Sequence, residues 1–197
     1  PALYEALVRQ CLVGMSMPLI VIDWSDLTPD RQWQLLRASV AIEGRSITLY
    51  EQVHPQSRAT SPRVHQAFLA QLATMLPAGC VPILITDAGF RGAWFRLVNR
   101  MGWRWIGRIR NRDMVSPANV DTWAGCKTLY PLATAKAQSL GRYRYVRKHP
   151  VPCSLVLVKR IKQGRHKKGK LGKRVHSNQS LKSARAQREP WLLAVSP

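Results

Sequence analysis

Two aspartates stand where chemistry is easiest to build. Asp23 closes the apolar run Leu19-Ile20-Val21-Ile22, and Asp87 closes a second run, Val81 to Thr86. Both runs are short, rich in β-branched residues and bounded by turn formers, the pattern of buried strands. Ligand sites in α/β sheets lie outside the carboxyl ends of strands. If the two strands lie side by side and parallel, both carboxylates emerge at one edge of the sheet. Two adjacent carboxylates repel, so either a cation sits between them or one keeps its proton. Hard oxygen ligands suit Mg²⁺, with Mn²⁺ as a possible substitute, and water and phosphate oxygens complete the shell. A pair of such ions about 3.5–4 Å apart serves phosphodiester cleavage. The plainer reading is that an Asp after a strand is a turn or helix-cap residue, and Asp87-Ala88-Gly89 suits that too. Asp26 competes with Asp23 and reads as a turn or cap residue before Leu27.

Rival chemistries are absent from the sequence. His54, His65, His149, His166 and His176 show no metal-ligand spacing and read as solvated, the last two within a basic segment. There is no G-x-S-x-G, Walker A or dinucleotide fingerprint. The four cysteines, Cys11, Cys80, Cys126 and Cys153, are widely spaced without a CxxC pair, which fits a reducing compartment, the cytoplasm.

The elements that must position the two acids can be read from hydrophobic periodicity. Ala2 to Leu12 has helical spacing, ended by Gly14. Trp33 to Ile42 and Arg45 to Val53 are strands joined at Glu43-Gly44, a hairpin turn. Ser61-Pro62 opens a helix with the stripe Val64, Phe68, Leu72, Met75 and Leu76. A further helix carries Trp94, Leu97, Val98 and Met101 and stops at Gly102. Trp103, Trp105, Gly107 and Ile109 then alternate with Arg104, Arg108 and Arg110, a half-exposed strand with a basic face. Three meandering strands, a helical crossover and parallel strands make an α/β mixed sheet with helices packed on it. Beyond a boundary near Asn111, Arg142 to Val146, Cys153 to Ile161 and Trp191 to Val195 read as strands with little helical periodicity.

Charge divides the chain in the same place. Among 197 residues, 31 Lys and Arg oppose 10 Asp and Glu, a formal charge of +21, and no carboxylate occurs between Asp121 and Glu189. The densest block includes Lys159, Arg160, Lys162, Arg165, Lys167, Lys168, Lys170, Lys173 and Arg174, spaced by glycines, and is expected to form a mobile basic arm. Such charge points to a polyanion, most simply nucleic acid, although a solubilising loop would look the same. With 46% hydrophobic residues the chain can build a core, and it has no apolar window long enough to span a membrane.

Several segments together resemble a known family. Val21-Ile22-Asp23-Trp24-Ser25-Asp26-Leu27, Leu36-Arg37-Ala38-Ser39-Val40, Glu43 to Glu51, Thr86-Asp87-Ala88-Gly89-Phe90 and Pro190-Trp191-Leu192-Leu193-Ala194 are similar, in order, to bacterial insertion-sequence transposases of the IS4 group, near the Tn10 type. The resemblance implies an RNase H-like core in which three acids hold two Mg²⁺ ions, with Asp23 and Asp87 matching the first two. It implies a mostly β insertion domain, hence a remnant helical segment over 1–17, a partial core over 18–110 and a basic insertion over 111–197. Trp191 matches a tryptophan that stacks on a base flipped out while a DNA hairpin forms; otherwise Trp191 is a core residue on a strand. The implied partners are double-stranded DNA at transposon ends and a second copy of the chain in a synaptic complex, within the bacterial nucleoid. The family's Glu lies beyond Pro197 in register, and Glu189 reads as a solvated charge, so this polypeptide alone is expected to be a catalytically incompetent piece. The readings from other classes are a non-catalytic basic nucleic-acid-binding protein and an RNase H-like nuclease or resolvase.

Overall fold

The structure, a computed structural model, describes residues 2–110, 113–159 and 189–197. Among them are three α-helices, α1 (Ala2–Cys11), α2 (Pro62–Met75) and α3 (Gly92–Arg100). There are ten strands: β1 (Leu19–Asp26), β2 (Trp33–Ile42), β3 (Arg45–Pro55), β4 (Ile83–Thr86), β5 (Arg104–Ile109), β6 (Met114–Pro117), β7 (Ala124–Gly125), β8 (Gln138–Tyr145), β9 (Val151–Val158) and β10 (Trp191–Val195). All join one mixed sheet in the order β3-β2-β1-β4-β5-β10-β9-β8-β6-β7. The first three form an antiparallel meander, and β4 and β5 run parallel to β1. This is the expected α/β, RNase H-like mixed sheet.

Local chemistry explains most boundaries. Glu43 and Gly44 both have positive φ, 50° and 75°, the geometry of a two-residue turn whose twist matches the flanking strands. Pro62 occupies the first turn of α2, but Ser61 makes no side-chain capping hydrogen bond, so only the proline half of the expected start signal is used. Gly102, at φ 71°, ends α3 in the left-handed conformation. The strand expected from Arg142 to Val146 begins earlier, at Gln138, and the one expected from Cys153 starts at Val151.

One face of the sheet carries the core. Ile20, Ile22, Leu36, Ala38, Leu84 and Trp105 are all fully buried on it. The helices cover that face: Phe68 of α2 stacks on Tyr50 of β3 at 5.0 Å, and Phe95 of α3 on Trp105 of β5 at 4.2 Å. The opposite face carries Val21, Asp23, Ile83, Ile85, Ile106 and Arg108, all partly or fully exposed. The sheet is continuous across residue 110, because β10 pairs with β5 on one side and β9 on the other.

Candidate active site and nucleic-acid interface

Register, rather than proximity in sequence, assembles the site. β1 and β4 pair in parallel with Ile22 beside Thr86, so Asp23, the next residue of β1, and Asp87, the first residue after β4, come next along the two chains. Neighbouring strands lie about 4.8 Å apart. On the other flank of β1, Asp23 faces Arg37 of β2, and Arg37 faces Glu51 of β3. Thr86 pairs with Gly107, which sets Asp87 beside Arg108 of β5. Side chains alternate between faces along a strand, so these five residues form one row on the open face: Glu51, Arg37, Asp23, Asp87, Arg108. Signs alternate along it except at Asp23 and Asp87.

The electrostatics follow. The Asp23 carboxyl is raised above the usual carboxylate range, first by burial and then by the charge of Asp87; a backbone hydrogen bond and Arg37 pull the other way without prevailing. Arg37 is only partly available, because its Nε donates to Glu51 Oε2 at 2.9 Å. Among the described residues neither Asp23 nor Asp87 forms an ion pair. Asp87 also does the turn work expected of it: Gly89 N–H donates to its Oδ1 at 2.8 Å, leaving Oδ2 open. A glycine is suited there, since a Cβ on Gly89 would stand 3.0 Å from that oxygen. The two readings of Asp87 are therefore compatible. Hard-oxygen donors that repel one another without a protein cation between them, Asp23 partly desolvated, fit a divalent ion. No set of three His, Cys, Asp or Glu able to hold a metal occurs among the described residues.

Asp26 is not part of the row. It accepts from Gln34 Nε2 at 2.7 Å and pairs with Arg31 at 3.3 Å, bracing the β1–β2 connection.

The basic strand separates into distinct roles. Arg104 is exposed. The Arg108 guanidinium lies 4.8 Å from the ring centroid of Trp191, a cation–π stack across β5 and β10. Burial, then the charge of Arg110, lowers the Arg108 pKa, while Glu189 and Asp87 oppose the shift. Arg110 pairs with Glu189 at 2.9 Å, and Lys127 approaches the same carboxylate at 3.7 Å. Glu189 is thus a half-buried, ion-paired residue, not the solvated charge expected: the β10 pairing draws it against two cations. Lys159 is exposed, and its backbone N–H donates to Thr134 O at 2.8 Å. Arg160, Lys162, Arg165, Lys167, Lys168, Lys170, Lys173 and Arg174 lie outside the described residues, as do His166 and His176.

His65 was expected in solvent and is buried, 5% exposed. Trp24 Nε1 donates to its Nε2 at 3.0 Å, which requires an unprotonated Nε2, and its ring stacks on Phe90 at 5.3 Å. It connects the residue after Asp23 to the loop after Asp87. Its spacing on the α2 stripe, one position from Val64 and three from Phe68, was the available signal. Burial and the neighbouring His54 push its pKa down to about 4.

An RNase H-like α/β protein with an acidic pair at the carboxyl edge of its central strands is the class that fold and site define. Within it, the chain belongs to the transposase DDE domain family, whose family model matches residues 14–186. A transposase function, acting on DNA, goes with that membership. A comparison with curated proteins finds no match. All four cysteines are free thiols. No helix among the described residues is long and apolar enough to cross a membrane.

Proposed function

We propose that this chain supplies the DNA-cutting and joining centre of an insertion-sequence transposase, with Asp23 and Asp87 as metal-holding carboxylates. The observation that carries the reading is the like-charge neighbour pair in an otherwise alternating row. Magnesium ions, or manganese, would when bound activate an attacking oxygen and stabilise a leaving one in phosphodiester hydrolysis and transesterification. Asp23 and Asp87 present their carboxyl groups toward the open face. Arg108, next in the row, offers a guanidinium where a phosphodiester would lie, and bidentate geometry suits phosphate. Trp191, braced by Arg108, offers an aromatic surface for an extruded base; such stacking contributes about 1–3 kcal/mol. This supports, within the same reading, a hairpin route at IS4-type ends. Residues 111–197 form its basic insertion, and two copies would act together on paired ends.

The test reads metal binding through thermal stability. Mn²⁺ should raise the melting temperature of the 197-residue chain, and Asp87→Asn should remove that gain while leaving the metal-free melting temperature unharmed. If Mn²⁺ stabilises Asp87→Asn as well as the parent, these residues do not hold the metal.

A further inference from the structure

One member of the charged row reaches the open face only through an irregularity in the sheet. Along β3, Ile47 and Leu49 pack into the core, so simple alternation would turn Glu51 inward as well. Instead the β2–β3 register shifts: Ser39 pairs with Thr48 and Ala38 with Tyr50, which leaves Leu49 as an extra residue. Leu49 is fully buried, and Tyr50 beside it stacks on Phe68 at 5.0 Å, so both face the core. Glu51 is thereby turned to the open face, opposite Arg37. Such bulges re-aim the side chains next to them and are over-represented beside active sites.

Arg37 has a carboxylate on each side. Asp23 faces it from β1 and Glu51 faces it from β3. Directly opposed residues hold their Cβ atoms about 4.5–5.5 Å apart, within reach of an arginine in either direction. Arg37 is on Glu51: its Nε donates to Oε2 at 2.9 Å, with the two side chains 44% and 33% exposed. Among the described residues Asp23 forms no ion pair. Burial and Asp87 raise the Asp23 pKa, and Arg37 pulls it back without prevailing. A guanidinium seated on Asp23 would occupy its oxygens and set a positive charge where a metal ion is to sit. An exposed ion pair contributes little to stability, so fold stability alone does not account for aiming Glu51 at Arg37.

We propose that Glu51 is a positioning residue that holds Arg37 away from Asp23 and so keeps the Asp23 carboxylate free for a divalent cation. This role rests on the reading of Asp23 and Asp87 as metal-holding carboxylates. Glu51 is two strand spacings from Asp23, about 10 Å, too far to ligate the same ion. At that distance its own charge is largely screened at physiological salt. It acts through Arg37.

The test measures Mn²⁺ dissociation constants from the electron paramagnetic resonance signal of free Mn²⁺. It compares the 197-residue chain with Glu51→Gln, Arg37→Gln and the double variant, in about 0.15 M salt. Glu51→Gln should weaken Mn²⁺ binding about fivefold, and Arg37→Gln should tighten it by a similar factor. The double variant should bind like Arg37→Gln, because Glu51 then has nothing to restrain. Without metal all three should melt within about 4 °C of the parent, as befits an exposed pair. If Glu51→Gln weakens binding equally with and without Arg37, Glu51 is only a distant charge and the proposal is overturned; no weakening at all overturns it too. A second measurement needs no metal. Asp23→Asn should move the Arg37 Nε–H resonance in the Glu51→Gln background far more than in the parent, and equal small shifts in both overturn the proposal. Mn²⁺ binding that depends on Asp87 but gives an additive cycle spares the metal reading. Parent chain that binds no Mn²⁺, or Asp87→Asn that binds it as tightly, overturns both.

Discussion

Asp23 is more stable protonated than an exposed aspartate because burial and Asp87 both disfavour its charge. A folded pKa above the unfolded one means that its contribution is present in acid and lost as pH rises through the folded value. Asp23→Asn should therefore raise the melting temperature in EDTA at neutral pH and abolish stabilisation by Mn²⁺, measured by differential scanning fluorimetry. A fall in EDTA would mean that the carboxylate is structural. His65 works in the opposite direction. Its folded pKa of about 4 lies below the unfolded 6.5, so the unfolded chain binds the proton first. Stability should fall as pH drops from about 6.5 to about 4, by about 3 kcal/mol in total. His65→Gln should flatten this segment of the urea-denaturation profile against pH. Neither environment is visible in a lone letter: His65 looked solvated because a histidine on a helix can face either way, and Trp24 is distant in sequence.

Gly107 shows how an element is fixed by what lies on it. It sits between Ile106 and Arg108 on β5, and a Cβ there would come within 2.2 Å of Phe95 Cζ. Phe95 cannot swing aside freely because it is stacked on Trp105 and edge-on to Tyr145. Gly107→Ala should cost about 2–3 kcal/mol by overpacking, measured by chemical denaturation. Gly125→Ala is the control: φ is −64° and nothing lies within 4 Å of its added Cβ, so the change should stay within about 0.5 kcal/mol. Period and turn signals made the β2–β3 hairpin, α2, α3 and β5 readable, since a strand or helix with one buried face writes its period into the sequence. β6 and β7 carry no such signal. They are only 4 and 2 residues long, too short for alternation to stand out.

At the scale of the molecule, the charge of +21 favours a polyanionic partner. Counterion release makes this measurable: duplex affinity should fall with salt at a log–log slope of about −5 or steeper, as for six neutralised phosphates. A slope shallower than about −2 would leave the charge without a nucleic-acid role. The sheet organises that charge by threading β10 between β5 and β9. This insertion brings Trp191 over Arg108 and Glu189 onto Arg110.

The amino-acid sequence by itself determined the apolar runs that lead to Asp23 and Asp87, the crossover between them, and the acid-free stretch after Asp121; it placed the end of β1 at Asp23, whereas the strand runs on to Asp26 because Trp24, Ser25 and Asp26 keep pairing with β2. These are local properties: apolar period, β-branching, turn residues and charge count act over a few positions. Only the tertiary structure decided that Arg37 and Arg108 flank the acids, that Asp87 spends one oxygen on Gly89, and that Glu51 of β3 is turned out onto Arg37. Backbone hydrogen bonds pair any strand with any other, so a strand's own pattern names its buried face but not its neighbour. Burial in the assembled sheet made that choice, and with it the sign of every charge beside the site.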